Sequence, residues 1–280
     1  PNSTLVSIST SRGCSEACSF CSQQKFWKRT SRGISPAKFE RLARELTERH
    51  GVNVILIPDE KPTYDRDRWH EILDRMIRMK KDVHYLMETT VVDILRDADI
   101  LEKYREAGII HIYVGVEAAG QDRLDDYSKR LSVAESREAL NLINAAEIVS
   151  ETSFVLGMPD ETPESIAFTL DQAKRFNPDF AHFLLLTPWP YSDLYEQVKP
   201  HIEEWNFDKY NLVEPVIRPT AMSRDEIFTA VLRCYKEFYM NKFGEVMALK
   251  SGFKRDYMMR SMKVMMHNSF LKKHLLRLGE

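Results

Sequence analysis

Residues Ser9–Gln24 read STSRGCSEACSFCSQQ, with Cys14, Cys18 and Cys21 separated by three and then two residues. A short apolar run, Leu5 to Ile8, precedes them and reads as a strand, which puts the cysteines on the loop leaving it. Three thiolates so close on one loop reach three corners of an iron–sulfur cube. No fourth protein ligand lies nearby, so one iron is left open, the general mark of a catalytic metal site. The competing readings fit less well. A disulfide leaves one of three cysteines over, in a chain with no secretory signal at its start. Structural zinc wants four ligands, and the first histidine is His50. Buried free cysteines sit among apolar neighbours, whereas Ser15, Glu16 and Ser19 surround these.

The rest of the chain supplies a scaffold for such a loop. It has 280 residues, 43% of them hydrophobic, enough to bury a large core. A net charge of −2 gives no general pull toward nucleic acid, and no run is long enough to span a bilayer. Cysteine usage suits a reducing, cytoplasmic setting. Short β-type runs at Leu5–Ser9, Asn53–Ile57, Val83–Met87, Ile110–Gly115, Thr152–Gly157 and Phe180–Thr187 alternate with helical patterns. The helices are expected at Ser35–Arg49, Asp65–Met79, Asp97–Ala107, Val133–Ile148 and Pro163–Phe176. Ser35-Pro36 is a helix start, and Gly51 and Gly108 are stops. The fold class is therefore α/β: a partial (β/α)6 TIM-like barrel of parallel strands over residues 1–200, then a mainly helical extension over 201–280. In such barrels the chemistry sits at the C-terminal ends of the strands.

With Phe20 before its last cysteine, the Cys14, Cys18, Cys21 spacing resembles the signature of the radical S-adenosylmethionine (SAM) superfamily. The resemblance implies a [4Fe–4S] cluster whose open iron holds the amino and carboxylate groups of SAM, reductive cleavage to a 5′-deoxyadenosyl radical, and an electron donor such as flavodoxin or ferredoxin. It also gives the strand ends roles. Asp59 and Glu60 are expected to accept from the SAM ammonium, or else to form a solvated acidic turn. Glu88 lies at the site mouth, with Thr90 where relatives often carry arginine. Gly115-Val116-Glu117 is similar to the family's ribose motif, and Lys129 or Arg130 would meet the SAM carboxylate. Ser153, Val155 and Gly157 fall where the adenine packs, ahead of a Thr162-Pro163 helix start. Thr187 ends strand six, and Trp189 and Tyr191 beyond it either wall a flat substrate or pack as a lid. No substrate-side acid–base pair stands out.

The wording of strands two to six is closest to the cobalamin-associated branch, which includes the anaerobic oxidative cyclases of magnesium-protoporphyrin monomethyl ester and assorted carbon methylases. Asp97–Leu101 with Arg105–Gly108 is particularly cyclase-like. The expected activity is hydrogen abstraction from a small organic, possibly tetrapyrrole-like, substrate. The alternatives are methyl transfer through cobalamin supplied by another chain and a non-catalytic iron–sulfur protein. Only four residues precede Leu5 in this sequence, and no Asp-x-His-x-x-Gly corrinoid motif occurs in it. In the extension, Ser223–Met240 reads as an amphipathic helix with Cys234 as a small hydrophobe. Lys250–Leu278 is basic and methionine-rich, and reads as a helix covering the barrel edge in preference to a membrane contact.

Overall fold

Strand and helix alternate from the start of the chain in a computed structural model that describes residues 3–79, 82–250 and 252–268. β1 (Leu5–Ser7) leads into a hairpin of β2 (Ser11–Arg12) and β3 (Arg32–Gly33), with α1 (Gln23–Phe26) between them. There follow α2 (Pro36–His50), β4 (Val54–Ile57), α3 (Arg66–Met79), β5 (His84–Thr90), α4 (Val91–Arg96), α5 (Leu101–Glu106) and β6 (Ile109–Gly115). The second half runs α6 (Gln121–Asp126), α7 (Val133–Ala145), β7 (Val149–Leu156), α8 (Pro163–Phe176), β8 (Phe180–Leu185), α9 (Tyr195–Val198), α10 (Arg224–Ala248) and α11 (Phe253–Asn268).

β1, β4, β5, β6, β7 and β8 pair in that order, every neighbour parallel, with β1 and β8 as the edge strands among the described residues. This is the expected partial barrel. Alternation along the strands explains its two faces. On β5, Tyr85, Met87 and Thr89 are buried while Leu86, Glu88 and Thr90 between them are only half-buried. The outer face packs Trp69, Ile72, Leu73, Phe39 and Tyr104 into one apolar core under the helices. The helix signals hold: Ser35 accepts from the Lys38 amide with Pro36 next in line, and Gly51 closes α2 in a left-handed conformation.

Element bounds differ from the sequence reading in several places, with β5 running on to Thr90 and α10 to Ala248, and two of the differences have a clear cause. β7 starts at Val149 and not Thr152, because Val149, Ser150 and Glu151 pair with His111, Ile112 and Tyr113 of β6. Ladder bonds there override the helical spacing that runs through Ile148. The helix expected at Asp97–Ala107 is broken, and α4 precedes it. Asp97 is the cause: fully buried, it accepts from Arg96, Arg66 and the Tyr104 hydroxyl (2.7 Å), which fixes the turn between α4 and α5.

α10 buries Ile227, Val231, Leu232, Tyr235 and Phe238 in the same core. Cys234 is 1% exposed, and burial pushes its thiol up to about 12, so it is the small inert hydrophobe expected. α11 buries Met258 and Met262 against Val149 and Phe180, the first residues of β7 and β8, and so covers that end of the barrel. Lys272 and Lys273 of the basic tail lie outside the described residues. Among the described residues no helix is long and apolar enough to cross a membrane.

Candidate iron–sulfur and cofactor site

The cysteine loop is held from below by two carboxylates. Pairing of Ser11 with Gly33 and Arg12 with Arg32 closes residues 13–31 into one loop. Asp59, 2% exposed in the turn after β4, accepts from Thr10 N (2.9 Å), Thr10 Oγ1 (2.6 Å), Ser11 N (2.6 Å) and Ser11 Oγ (3.0 Å). Glu60 accepts from Gly13 N (3.2 Å) and Trp27 Nε1 (2.8 Å). Both carboxylates are thus hydrogen-bonded to the base of the cysteine loop. Gly13 has φ +98°, and a β-carbon there would overlap the Thr30 carbonyl oxygen. Only glycine suits that turn, one residue before the first cysteine.

The upper side of the loop is fastened to distant elements. Ser19 N donates to Tyr127 O (2.9 Å), Ser19 Oγ to Asp126 O (2.8 Å), and Leu194 N to Ser19 O (2.9 Å). Phe20 packs edge-on against Tyr127 at 5.0 Å between ring centroids, so its ring anchors the loop to the end of α6. Gln24 Nε2 bridges Cys18 O (3.0 Å) and Asp193 Oδ2 (2.8 Å).

Cys14, Cys18 and Cys21 are unbridged and half-buried. Burial raises all three thiols, Cys18 to about 11, and each feels neighbouring charge. Lys129 opposes the rise at Cys18, while Glu117 and the other two thiols add to it. Such thiols are poor free nucleophiles, and a metal would have to displace their protons. Among the described residues no trio of His, Cys, Asp or Glu closes around a single ion. A cluster asks something else: three thiolates from one loop, each reaching a separate iron of a larger core. Cys234, in α10, belongs to the main core and supplies no fourth ligand. The donor set fits a three-cysteine cluster.

Two lysine–carboxylate pairs flank the loop. Lys129 Nζ is 2.9 Å from Glu117 Oε1, and both side chains are largely buried. Glu117 Oε2 accepts from Ser153 Oγ (2.9 Å), which accepts from the Tyr113 hydroxyl (2.6 Å). Glu117 itself holds φ +67°, a strained conformation for a residue with a side chain, fixed by its amide to Ser153 O (2.9 Å) and its carbonyl from Val155 N (2.8 Å). Gly115 has no side chain because the Glu117 carboxylate and Lys129 ammonium fill the place of its β-carbon. Arg130 is exposed, so Lys129 is the member of that pair turned inward.

On the other flank Lys61 Nζ lies 2.6 Å from Glu16 Oε1 and 3.4 Å from the buried Asp93. Sequence reading passed over Lys61 and Asp93. Nothing local marks them, since a lysine after two acids reads as a solvated turn. Glu88 is half-buried on the inner face of β5, and Thr90 caps α4 through the Asp93 amide (3.3 Å). Val155 is nearly buried, Gly157 N donates to Glu161 Oε2 (2.8 Å), and buried Thr187 accepts from Leu212 N (3.1 Å). Tyr191 is 57% exposed beyond β8.

The model of the Radical SAM superfamily matches residues 8–173. The chain is 37% identical over 263 residues to an anaerobic magnesium-protoporphyrin IX monomethyl ester cyclase of Rubrivivax gelatinosus, covering 94% of this chain and 47% of that one. It is 27% identical to an uncharacterized methyltransferase of Pyrococcus horikoshii, covering 83% of this chain and 51% of the relative. It therefore spans about half the length of these curated relatives. Among solved structures, the cobalamin-dependent SAM radical enzyme OxsB superposes with a TM-score of 0.69 at 13% identity, over 92% of this chain and 45% of that one. That likeness is one of fold.

Proposed function

The chain belongs to the radical SAM superfamily, and on that premise we propose that it cleaves SAM reductively to abstract hydrogen from a tetrapyrrole-like substrate, in the manner of an oxidative cyclase. The superfamily uses a [4Fe–4S] cluster and SAM, and the cluster supplies the electron that breaks the SAM sulfur–carbon bond. Cys14, Cys18 and Cys21 would hold the cluster. The observation that carries the reading is the inward-facing Glu117–Lys129 pair beside that loop. Glu117 has the acceptor oxygens for a ribose diol, and Lys129 the charge for a carboxylate. Ser153, Val155 and Gly157 line the adjoining strand end, where an adenine would pack. Asp59, Glu60 and Phe20 position the loop. Thr187 supports the end of β8.

A small-molecule substrate, a one-electron donor such as flavodoxin or ferredoxin and a reducing cytoplasmic setting go with this reading. Anaerobic reconstitution with iron and sulfide, then dithionite and SAM, is expected to release 5′-deoxyadenosine. No release from a fully clustered preparation overturns the proposal. The methyltransferase relative favours a second reading, methyl transfer through a cobalamin supplied by another chain. Spectral titration with hydroxocobalamin separates the two, because only the second requires tight corrinoid binding.

A further expected result concerns Gly115. In Gly115→Ala the new methyl displaces the Glu117 carboxylate and Lys129. SAM binding, followed by equilibrium dialysis, is expected to weaken about tenfold or more, the size of one lost charge-assisted hydrogen bond. Cluster content should not change. Unchanged SAM affinity would remove Glu117 from the cofactor site.

A further inference from the structure

The inner face of the sheet carries a row of polar and ionisable groups beyond the Glu117–Lys129 pair. Register sets Leu86 beside His111, Glu88 beside Tyr113, Tyr113 beside Glu151 and Ser153 beside His182, so these side chains share one face. Glu151 lies between two imidazoles. His111 Nε2 is 2.8 Å from one of its oxygens, and His182 Nε2 bonds the other. Burial opposes its ionisation, yet the two histidines hold the Glu151 carboxyl far below its ordinary range. His111 Nδ1 is also 2.9 Å from the Tyr257 hydroxyl of α11.

Glu88 is the exception in this row. Among the described residues its carboxyl has no hydrogen-bond or ion-pair partner, whereas Glu151 and Tyr113 beside it are bonded. Burial, then the carboxylates of Glu60, Asp59, Glu151 and Glu117, push it up to about 7. A cavity of about 170 Å³ is lined by Leu56, Leu86, Glu88, His111, Tyr113 and Glu151. That volume takes one arm of a ligand, since whole drug-sized ligands occupy pockets of about 300 Å³ or more.

Resting on the tetrapyrrole reading above, we propose that this cavity receives a neutral ester arm of the substrate, with Glu88 donating a hydrogen bond to the ester carbonyl oxygen. An uncharged carboxyl has an O–H to give, and a partly buried donor without a partner gains most from an acceptor. A free carboxylate arm would instead be a second anion beside Glu151, whose flanking imidazoles are already engaged with it and, for His111, with Tyr257. Like charges at such range and low polarity repel strongly. The cavity therefore selects ester over acid. The name of the cyclase relative specifies a monomethyl ester, a tetrapyrrole with one esterified carboxyl.

The test is a titration of the reconstituted protein with magnesium-protoporphyrin IX monomethyl ester and with unesterified magnesium-protoporphyrin IX, followed by the absorption band of the macrocycle. Wild type is expected to bind the ester about tenfold more tightly than the acid near pH 6.5, and its affinity for the ester to fall toward pH 8 as Glu88 loses the proton it donates. Glu88→Gln keeps an N–H donor, so it should keep the ester affinity and lose its pH dependence. Because it leaves His111, Tyr113, Glu151 and His182 in place, any pH dependence it retains belongs to them and overturns the assignment. Glu88→Ala should bind the ester about tenfold more weakly at every pH. Equal binding of ester and acid by wild type, or undiminished ester affinity in Glu88→Ala, also overturns it. If the alanine protein does not fold, the near-isosteric Glu88→Gln decides the question alone. Binding of both compounds without regard to Glu88 removes only this subsite, whereas binding of neither removes the tetrapyrrole reading and the subsite with it.

Discussion

Cys18→Ala protein, reconstituted anaerobically with iron and sulfide, is expected to lack the visible absorption of a [4Fe–4S] centre and to release 5′-deoxyadenosine at least about 100-fold more slowly than wild type. Loss of an outer-shell partner of a metal site already costs about 10- to 100-fold, so loss of a direct ligand sets the floor at the upper end of that range. Cys18 is near enough to the Glu117–Lys129 pair and to the other two thiols to feel the charge of each. Its carbonyl is separately held by Gln24, so the backbone of the loop keeps its anchor when the sulfur is removed. Far-ultraviolet circular dichroism should be unchanged, since residue 18 is outside the apolar core. The control is Cys234→Ala, a buried position in α10, which should retain the cluster. A Cys18→Ala protein with a full complement of iron, sulfide and activity would take the cysteine loop out of the chemistry altogether.

Asp59→Ala gives the second large effect and decides between two tasks for that carboxylate. As an anchor it accepts from four donors, two of them backbone amides at the base of the cysteine loop. Alanine leaves buried donors at Thr10 and Ser11 without a partner, which costs about 1–3 kcal/mol for each group left unsatisfied. The loop base should open locally, and cluster content should fall to about a tenth or less of wild type before any SAM is added. Were Asp59 instead a contact to the SAM ammonium, the cluster would load normally and only SAM affinity would drop. Iron and sulfide analysis of the purified, SAM-free protein therefore separates the two. Asp59→Asn should lose less, because its amide oxygen can take the place of Oδ2, which accepts from all four donors.

Residue patterns are sufficient for some features of this protein and not for others. The cysteine spacing, the six β-type runs and the cap residues Ser35-Pro36, Gly51 and Thr162-Pro163 act over a few residues; all six strands and all the caps form, with strand ends shifted where pairing decides them. Asp59 and Glu60 are legible in the sequence as acidic groups at a strand end but not as anchors. Their donors, Thr10, Ser11, Gly13 and Trp27, are 33 to 49 positions away in the chain. Lys61 is invisible for the same reason: its partners Glu16 and Asp93 come from a loop and a helix that meet only in the fold.

Hydrophobic period, capping and ligand spacing are short-range properties of the chain. The strand–helix alternation, the ligand triplet and the strand ends that carry chemistry therefore follow from residue order alone. What each carboxylate does is settled only in three dimensions. Parallel pairing brings Glu88, His111, Tyr113, Glu151 and His182 onto one face, and burial there leaves Glu151 bound between imidazoles and Glu88 without a partner among the described residues. Whether an acid anchors a loop, faces a ligand or keeps its proton depends on which distant groups share its low-polarity surroundings, and that is set only when the sheet closes over them.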